Sequence, residues 1–190
     1  LVAKLAEYSP LAIAVSGGVD SMTLATVAYQ ALKSNVMIVH ATSPAVPIEA
    51  TERVKRYAQE QGWILELVDA GEMSDERYKQ NPVNRCYFCK SNLYARISYV
   101  WPGRVASGAN LDDLGDYRPG LLAAKEQNVV HPLIDAGINK YMVRAIAHRL
   151  ALTDIAQLPA QPCLSSRVET GITIKPADLL FVHKVEKYLS

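Results

Sequence analysis

Leu11-Ala12-Ile13-Ala14-Val15-Ser16-Gly17-Gly18-Val19-Asp20-Ser21 is the stretch that decides the fold of this chain. Its first five residues are a continuous apolar run and read as a buried strand. The two glycines mark a tight turn. Residues 21–33 then carry Met22, Ala25, Ala28 and Leu32 at helical spacing. A strand, a glycine turn and a helix in that order aim several backbone N–H groups at one spot, with the positive helix end behind them. That is an anion site. Gly17 and Gly18 let the backbone approach a phosphate closely, and Ser16 and Ser21 bring hydroxyl donors. The Gly-Lys-Ser/Thr ending of a Walker loop is missing. Asp20 suits Mg²⁺ held on phosphate, because such an ion usually keeps one or two carboxylates.

Outward from this junction, strand and helix patterns alternate. Apolar runs at 36–39 and 64–68, with shorter ones at 104–107 and 129–131, read as strands. Residues 48–61 read as an amphipathic helix with charges on its outer face, and 140–150 as a helix with Asn139 as N-cap. Fully apolar strands between helices imply an α/β fold, a parallel sheet with helices on both faces. Ligands of such sheets sit beyond the carboxyl ends of the strands. Ala14 and Thr42, at strand ends, are placed to meet the rest of a phosphate-bearing ligand through backbone groups. Gly108 and Asn110 follow a later strand in the same position. Composition breaks after Leu150, and Pro159 and Pro162 lead into Cys163. We therefore expect an α/β domain built around the anion site over 1–155 and, over 156–190, a cysteine-bearing loop with the start of a C-terminal appendage, including a helix at 176–189.

The 190 residues carry a net charge of only +1. That argues against a dedicated nucleic-acid partner. No export signal and no membrane-crossing run is present. Three cysteines cannot pair completely within the chain, so a reduced cytoplasmic setting is expected. The chain begins at Leu1 and stops at Ser190 inside a helical pattern, which reads as truncation at both ends.

Cys86 and Cys89 form Arg85-Cys-Tyr-Phe-Cys-Lys90, and Cys163 sits in Pro162-Cys-Leu-Ser-Ser-Arg167. Each reads as lying in a polar, loop-like context beside an arginine, where positive charge favours the thiolate. Three readings stay open. The first is a zinc site completed by His40, His131, His148 or His183. The second is a [4Fe–4S] cluster on three thiolates with one open iron. The third is a reactive Cys163 with the pair secondary.

Taken together, the motifs resemble one family. Ser16–Ser21 is similar to the PP-loop of the N-type ATP pyrophosphatases. Asn84 to Lys90, Gly108-Ala-Asn-Leu-Asp-Asp-Leu-Gly-Asp-Tyr-Arg-Pro-Gly120, Pro132-Leu133 and Cys163-Leu-Ser-Ser-Arg167 followed by Gly171 resemble the LarE-type sulfur transferases within that superfamily. The resemblance spans roughly residues 10–175.

It implies that ATP adenylates a carboxylate of a pyridinium mononucleotide and that sulfur then displaces AMP. The thiocarboxylate so made belongs to a nickel-pincer nucleotide. In one branch a cysteine gives up its own sulfur; in another, three cysteines hold a [4Fe–4S] cluster. Cys163 matches the sulfur-site cysteine, and Cys86 with Cys89 places this chain in the cluster branch. The family forms homo-oligomers, so one is expected here; the sulfide donor stays unidentified. Thiolation of tRNA by a PP-loop enzyme and sacrificial transfer from Cys163 are the competing readings.

The roles expected of the remaining residues follow. Ser16, Gly17, Gly18, Asp20 and Ser21 take ATP phosphates and Mg²⁺. Asn110, Asp112, Asp113, Asp116 and Arg118 make a dense polar loop facing the nucleotide, with Arg118 on phosphate. Arg167, helped by Ser166, binds a substrate phosphate or the α-phosphate. Arg85 and Lys90 steer anions or lie at the surface, and Arg144, His148 and Arg149 form a solvated helix face. The family's phosphate-binding arginines nearer the C-terminus would fall beyond Ser190.

Overall fold

The computed structural model describes residues 1–115 and 117–189. The strands are β1 (Leu11–Val15), β2 (Val36–Ala41), β3 (Leu65–Val68) and β4 (Arg104–Ser107). The helices are α1 (Val2–Tyr8), α2 (Val19–Leu32), α3 (Ile48–Gln61), α4 (Glu76–Lys79), α5 (Arg85–Val100), α6 (Pro119–Glu126), α7 (Pro132–Asp135), α8 (Lys140–Arg149), α9 (Thr153–Ala156) and α10 (Pro176–Leu189). Short 3₁₀ turns complete the connections. No helix among the described residues is long and apolar enough to cross a membrane.

All strand pairs are parallel, in the order β3-β2-β1-β4. The alternation of side chains explains why both faces are covered. Leu11, Ile13 and Val15 of β1 enter one core with Val36 and Ile38 of β2, under α2, α3, α8 and α9. Ala12, Met37 and Val39 point the other way, toward Leu93, Tyr94 and Ile97 of α5 and Ala124 of α6. The chain winds outward from β1 to β3 and then returns to the far side of β1 with β4. That reversal creates a crevice at the carboxyl ends of β1 and β4, where the glycine turn sits.

Two expectations need correction. Residues 129–131 form no strand; Val130 makes an isolated parallel bridge to Ala106. Cys86 and Cys89 stand on a helix, α5, not in a loop. Positions 89, 93 and 97 recur at helical spacing, so Cys89 extends the inner stripe of Leu93 and Ile97, while Cys86, nearly one turn earlier, is exposed and lines the cleft. Aromatic and polar residues around the pair mask that stripe in the sequence.

A third, smaller core lies off the sheet. It buries Ala45, Tyr78, Leu164, Ile174 and Leu179, with Phe88, Cys89 and Cys163 packed against it. Residues after 156 thus close over the crevice through Leu164, whose N–H donates to Ala45 O at 2.9 Å.

Candidate active site

The glycine turn is braced from within. Gly17 has φ +84°, and a Cβ there would stand 3.0 Å from both the Cβ and the carbonyl oxygen of Ala50. Any side chain would be strained by the backbone and blocked by α3. The Ser21 hydroxyl accepts the Ser16 N–H at 3.1 Å and donates to Gly18 O at 3.2 Å. The Gly18 N–H reaches Ser16 Oγ at 3.4 Å. Arg53 donates to Gly17 O at 2.9 Å, a brace that the amphipathic pattern of 48–61 hides among its outer charges. The first N–H groups of α2 have no partner within the helix and open into the cleft with Asp20 in the first turn.

Asp20 is the hub. Asn110, 1% exposed, donates to it at 3.1 Å, and Lys140 pairs with its other oxygen. The polar loop exists to hold this arrangement. Asn110 Oδ1 accepts the Asp112 N–H at 3.0 Å, Asp113 accepts the Asn110 N–H at 3.0 Å, and Asp112 accepts the Lys140 N–H at 3.0 Å. Arg118 pairs with Asp113 at 3.1 Å and lines the cleft. Asp116 lies outside the described residues. Gly108 presses on the start of α2, where an added Cβ would be 2.8 Å from Ser21 N and Cα. Nothing local in the sequence marks Lys140 as a site residue. Its partner is 120 positions away, and a lysine opening a helix carries no local signal of that role.

One cleft of about 960 Å³ joins this region to the cysteines. Ala14, Ser16, Gly18, Asp20 and Ser21 line one end, with Gly108 and Arg118 beside them; Cys86, Cys89 and Cys163 line the other. Thr42 stands behind the wall, its N–H bonded to Val68 O at 2.9 Å. Among the described residues no three His, Cys, Asp or Glu side chains stand close enough to hold a single metal ion. His40 is spent on Val15 O and Thr51, each at 2.9 Å, and burial lowers its pKa. His131 meets Ser107 Oγ at 2.9 Å, and His183 pairs with Glu49 at 3.2 Å.

The thiolate expectation fails at Cys89. Burial pushes its pKa up to about 12, and the opposing charge of Lys90 is too weak to reverse it. Lys90 has its ammonium 5.9 Å from the Tyr94 ring centre. Desolvation opposes that charge, yet Tyr94 and the three cysteines hold its pKa above the ordinary lysine value.

Arg167 and Ser166 do not line the cleft; they clamp the Cys163 loop. The Cys163 carbonyl accepts from Ser166 Oγ at 2.8 Å, from the Ser166 N–H at 2.9 Å and from Arg167 at 3.1 Å. Arg167 also grips Pro162 O at 2.5 Å and Glu186 of α10 at 2.6 Å. In this structure its guanidinium is held by the backbone of the Cys163 loop and by α10. Arg85 is tied to Asn81, and Arg144 to the carbonyls of Ala156 and Leu158, so neither is a solvated charge.

No protein-family model matches the chain. The solved structure of the NH3-dependent NAD synthetase from Campylobacter jejuni superposes with a TM-score of 0.63, covering 78% of this chain and 68% of that one at 22% identity, which establishes the shared fold. Protein slr1717 of Synechocystis is 44% identical over 96% of this chain and 69% of its own. The pyridinium-3,5-bisthiocarboxylic acid mononucleotide synthase of Lactiplantibacillus plantarum is 31% identical over the whole of this chain and 70% of its own. A phosphate loop at the sheet's switch point and a full-length match of this kind make the chain a member of the LarE family of PP-loop enzymes, and an ATP-dependent enzyme of that kind.

Proposed function

We propose that this enzyme adenylates a carboxylate of a pyridinium mononucleotide and exchanges AMP for sulfur, giving a thiocarboxylate of the nickel-pincer type. The observation that carries this reading is the single cleft lined both by the phosphate loop and by all three cysteines. Its volume lies near the top of the range of about 300–1,000 Å³ for small-molecule sites, which suits two nucleotides meeting end to end.

A carboxylate is a poor electrophile, and joining it to AMP supplies the leaving group. The α2 N-terminal amides and Arg118 would hold the phosphates and offset charge on the departing pyrophosphate. Asp20 would hold Mg²⁺, which when bound neutralises the same charge. Lys140 and Asn110 fix that carboxylate in place.

All three thiols line this cleft, and three thiolates suit a cluster in which each takes a separate iron and one iron stays open. Cys86, Cys89 and Cys163 would hold a [4Fe–4S] cluster, which when bound supplies an open iron for an external sulfide. The burial of Cys89 helps to exclude water there. Unpaired cysteines of this kind call for a reducing compartment such as the cytoplasm, and the family suggests a homo-oligomer.

Anaerobic protein given ATP, Mg²⁺, sulfide and the pyridinium dicarboxylate mononucleotide is expected to release pyrophosphate only with that nucleotide present. Mass spectrometry should then find sulfur in place of carboxylate oxygen. Pyrophosphate release without sulfur incorporation overturns the transfer. Protein that cannot be loaded with iron, yet loses sulfur from Cys163 on turnover, replaces the cluster with a sacrificial cysteine.

A further inference from the structure

The thiol end of the cleft holds two opposite charges that adenylation leaves unused. Glu72 is 3% exposed, on the short turn Glu72–Ser74, and lines the cleft. Its Oε2 is shut from solvent and has no hydrogen-bond partner. A carboxylate oxygen shut from water without a partner carries a desolvation cost, which a structure keeps only when something else compensates. Lys90 lines the same end and makes no ion pair with a carboxylate among the described residues. Its stem is set by α6, where a Cβ on Gly120 would come within 3.0 Å of Lys90 Cγ. Cys89 lies within electrostatic reach of both groups, yet the two do not pair with each other. Tyr78 and Tyr94 back that wall, only 1% and 2% exposed.

A carboxylate and an ammonium that line one cleft without pairing are complementary to a zwitterion. We propose that Glu72 and Lys90 form a subsite for a zwitterionic aromatic ring, with Glu72 opposing the ring cation and Lys90 holding a ring carboxylate. This rests on the reading that the substrate is a pyridinium carboxylate. The paired charges orient it, because reversing the ring would set carboxylate against carboxylate and cation against ammonium. The carboxylate at Lys90 is then the one beside the cysteines. Glu72 and Lys90 act by positioning.

The test is calorimetric titration in the presence of Mg²⁺ and a non-hydrolysable ATP analogue. Three probes separate the charges: nicotinic acid mononucleotide (ring cation and carboxylate), nicotinamide mononucleotide (ring cation and neutral amide) and orotidine monophosphate (carboxylate on a neutral ring). Glu72→Gln is expected to weaken the two pyridinium probes by about tenfold, the size of one charge-assisted contact, and to leave orotidine monophosphate unchanged. Lys90→Met is expected to weaken the two carboxylate probes and to spare nicotinamide mononucleotide. Unchanged affinity for the ATP analogue reports an intact fold. Where Glu72→Gln loses it, the Lys90→Met arm decides alone. Variants that weaken all three probes alike, or none, overturn the subsite while wild-type binding leaves the substrate reading standing. A wild type that binds neither pyridinium probe overturns the substrate reading and the subsite with it.

Discussion

Lys140 at the start of α8 is ion-paired with Asp20 in the first turn of α2, across 120 residues of sequence. The pair ties the β4-side loop cluster to the phosphate loop. It also keeps the Asp20 carboxylate aimed at the cleft before any ion arrives.

Lys140→Met should therefore weaken use of ATP. A hydrogen bond to a charged group contributes about 1.5–3 kcal/mol, so kcat/KM for ATP should fall by about 10–100-fold. Steady-state pyrophosphate release against ATP and Mg²⁺ concentration checks this. An unchanged Mg²⁺ dependence would show that Lys140 has no hold on Asp20 in the working enzyme.

Gly108→Ala should damage the nucleotide end and spare the cysteines. Its Cβ would meet Ser21 backbone at 2.8 Å, and neither backbone can give way cheaply. Overpacking of this sort costs about 1–3 kcal/mol. Thermal unfolding should record the loss, with ATP-analogue affinity reduced as β4 is levered away from α2.

Arg167→Ala should free the Cys163 loop without touching nucleotide binding. It removes donors to Pro162 O and Cys163 O and the link to Glu186. We expect faster alkylation of Cys163 and slower sulfur transfer, with the Kd for the ATP analogue unchanged. Arg167→Lys should restore only part of the effect, because it cannot keep the planar fork on Glu186. A weakened Kd would return Arg167 to the phosphate.

The pH dependence of stability should carry a signature of Asp75. Hydrogen bonds from Arg77 and Asn92 lower its pKa from 3.8 to about 2. A carboxyl depressed in the folded state stabilises above its unfolded pKa and loses that contribution as pH falls through its folded pKa. Relative to Asp75→Asn, the wild type should be more stable by roughly 1–2 kcal/mol above pH ~4, after allowing for solvent screening. That gap should shrink as pH falls toward 2. Paired denaturant titrations at several pH values measure it, and a pH-independent gap would contradict the pairing.

Much of the nucleotide end was legible from residue order, because it is built locally. Apolar strand, paired glycines and helix lie within one stretch, and their chemistry follows from backbone geometry. The helix bounds at 48–61 and 176–189 and the Asn139 cap follow from periodicity and capping for the same reason. The cysteine end was legible as an inventory but not as an arrangement. The α5 stripe was hidden because its inner face begins at Cys89, among polar and aromatic neighbours. Burial of Cys89 comes from Tyr78, Leu164 and α10, which the sequence sets far from it.

The sequence by itself determined that the chain builds a parallel sheet with an anion-binding turn at β1, because hydrophobic period and glycine placement act between near neighbours. Tertiary structure alone decided that Lys140 answers Asp20, that Arg167 grips the Cys163 backbone and that Glu72 Oε2 is left without a partner in the cleft that Lys90 also lines. Those relationships depend on which loops meet at the carboxyl ends of the strands. Burial and electrostatics there are set by distance in space, which separation along the chain does not report.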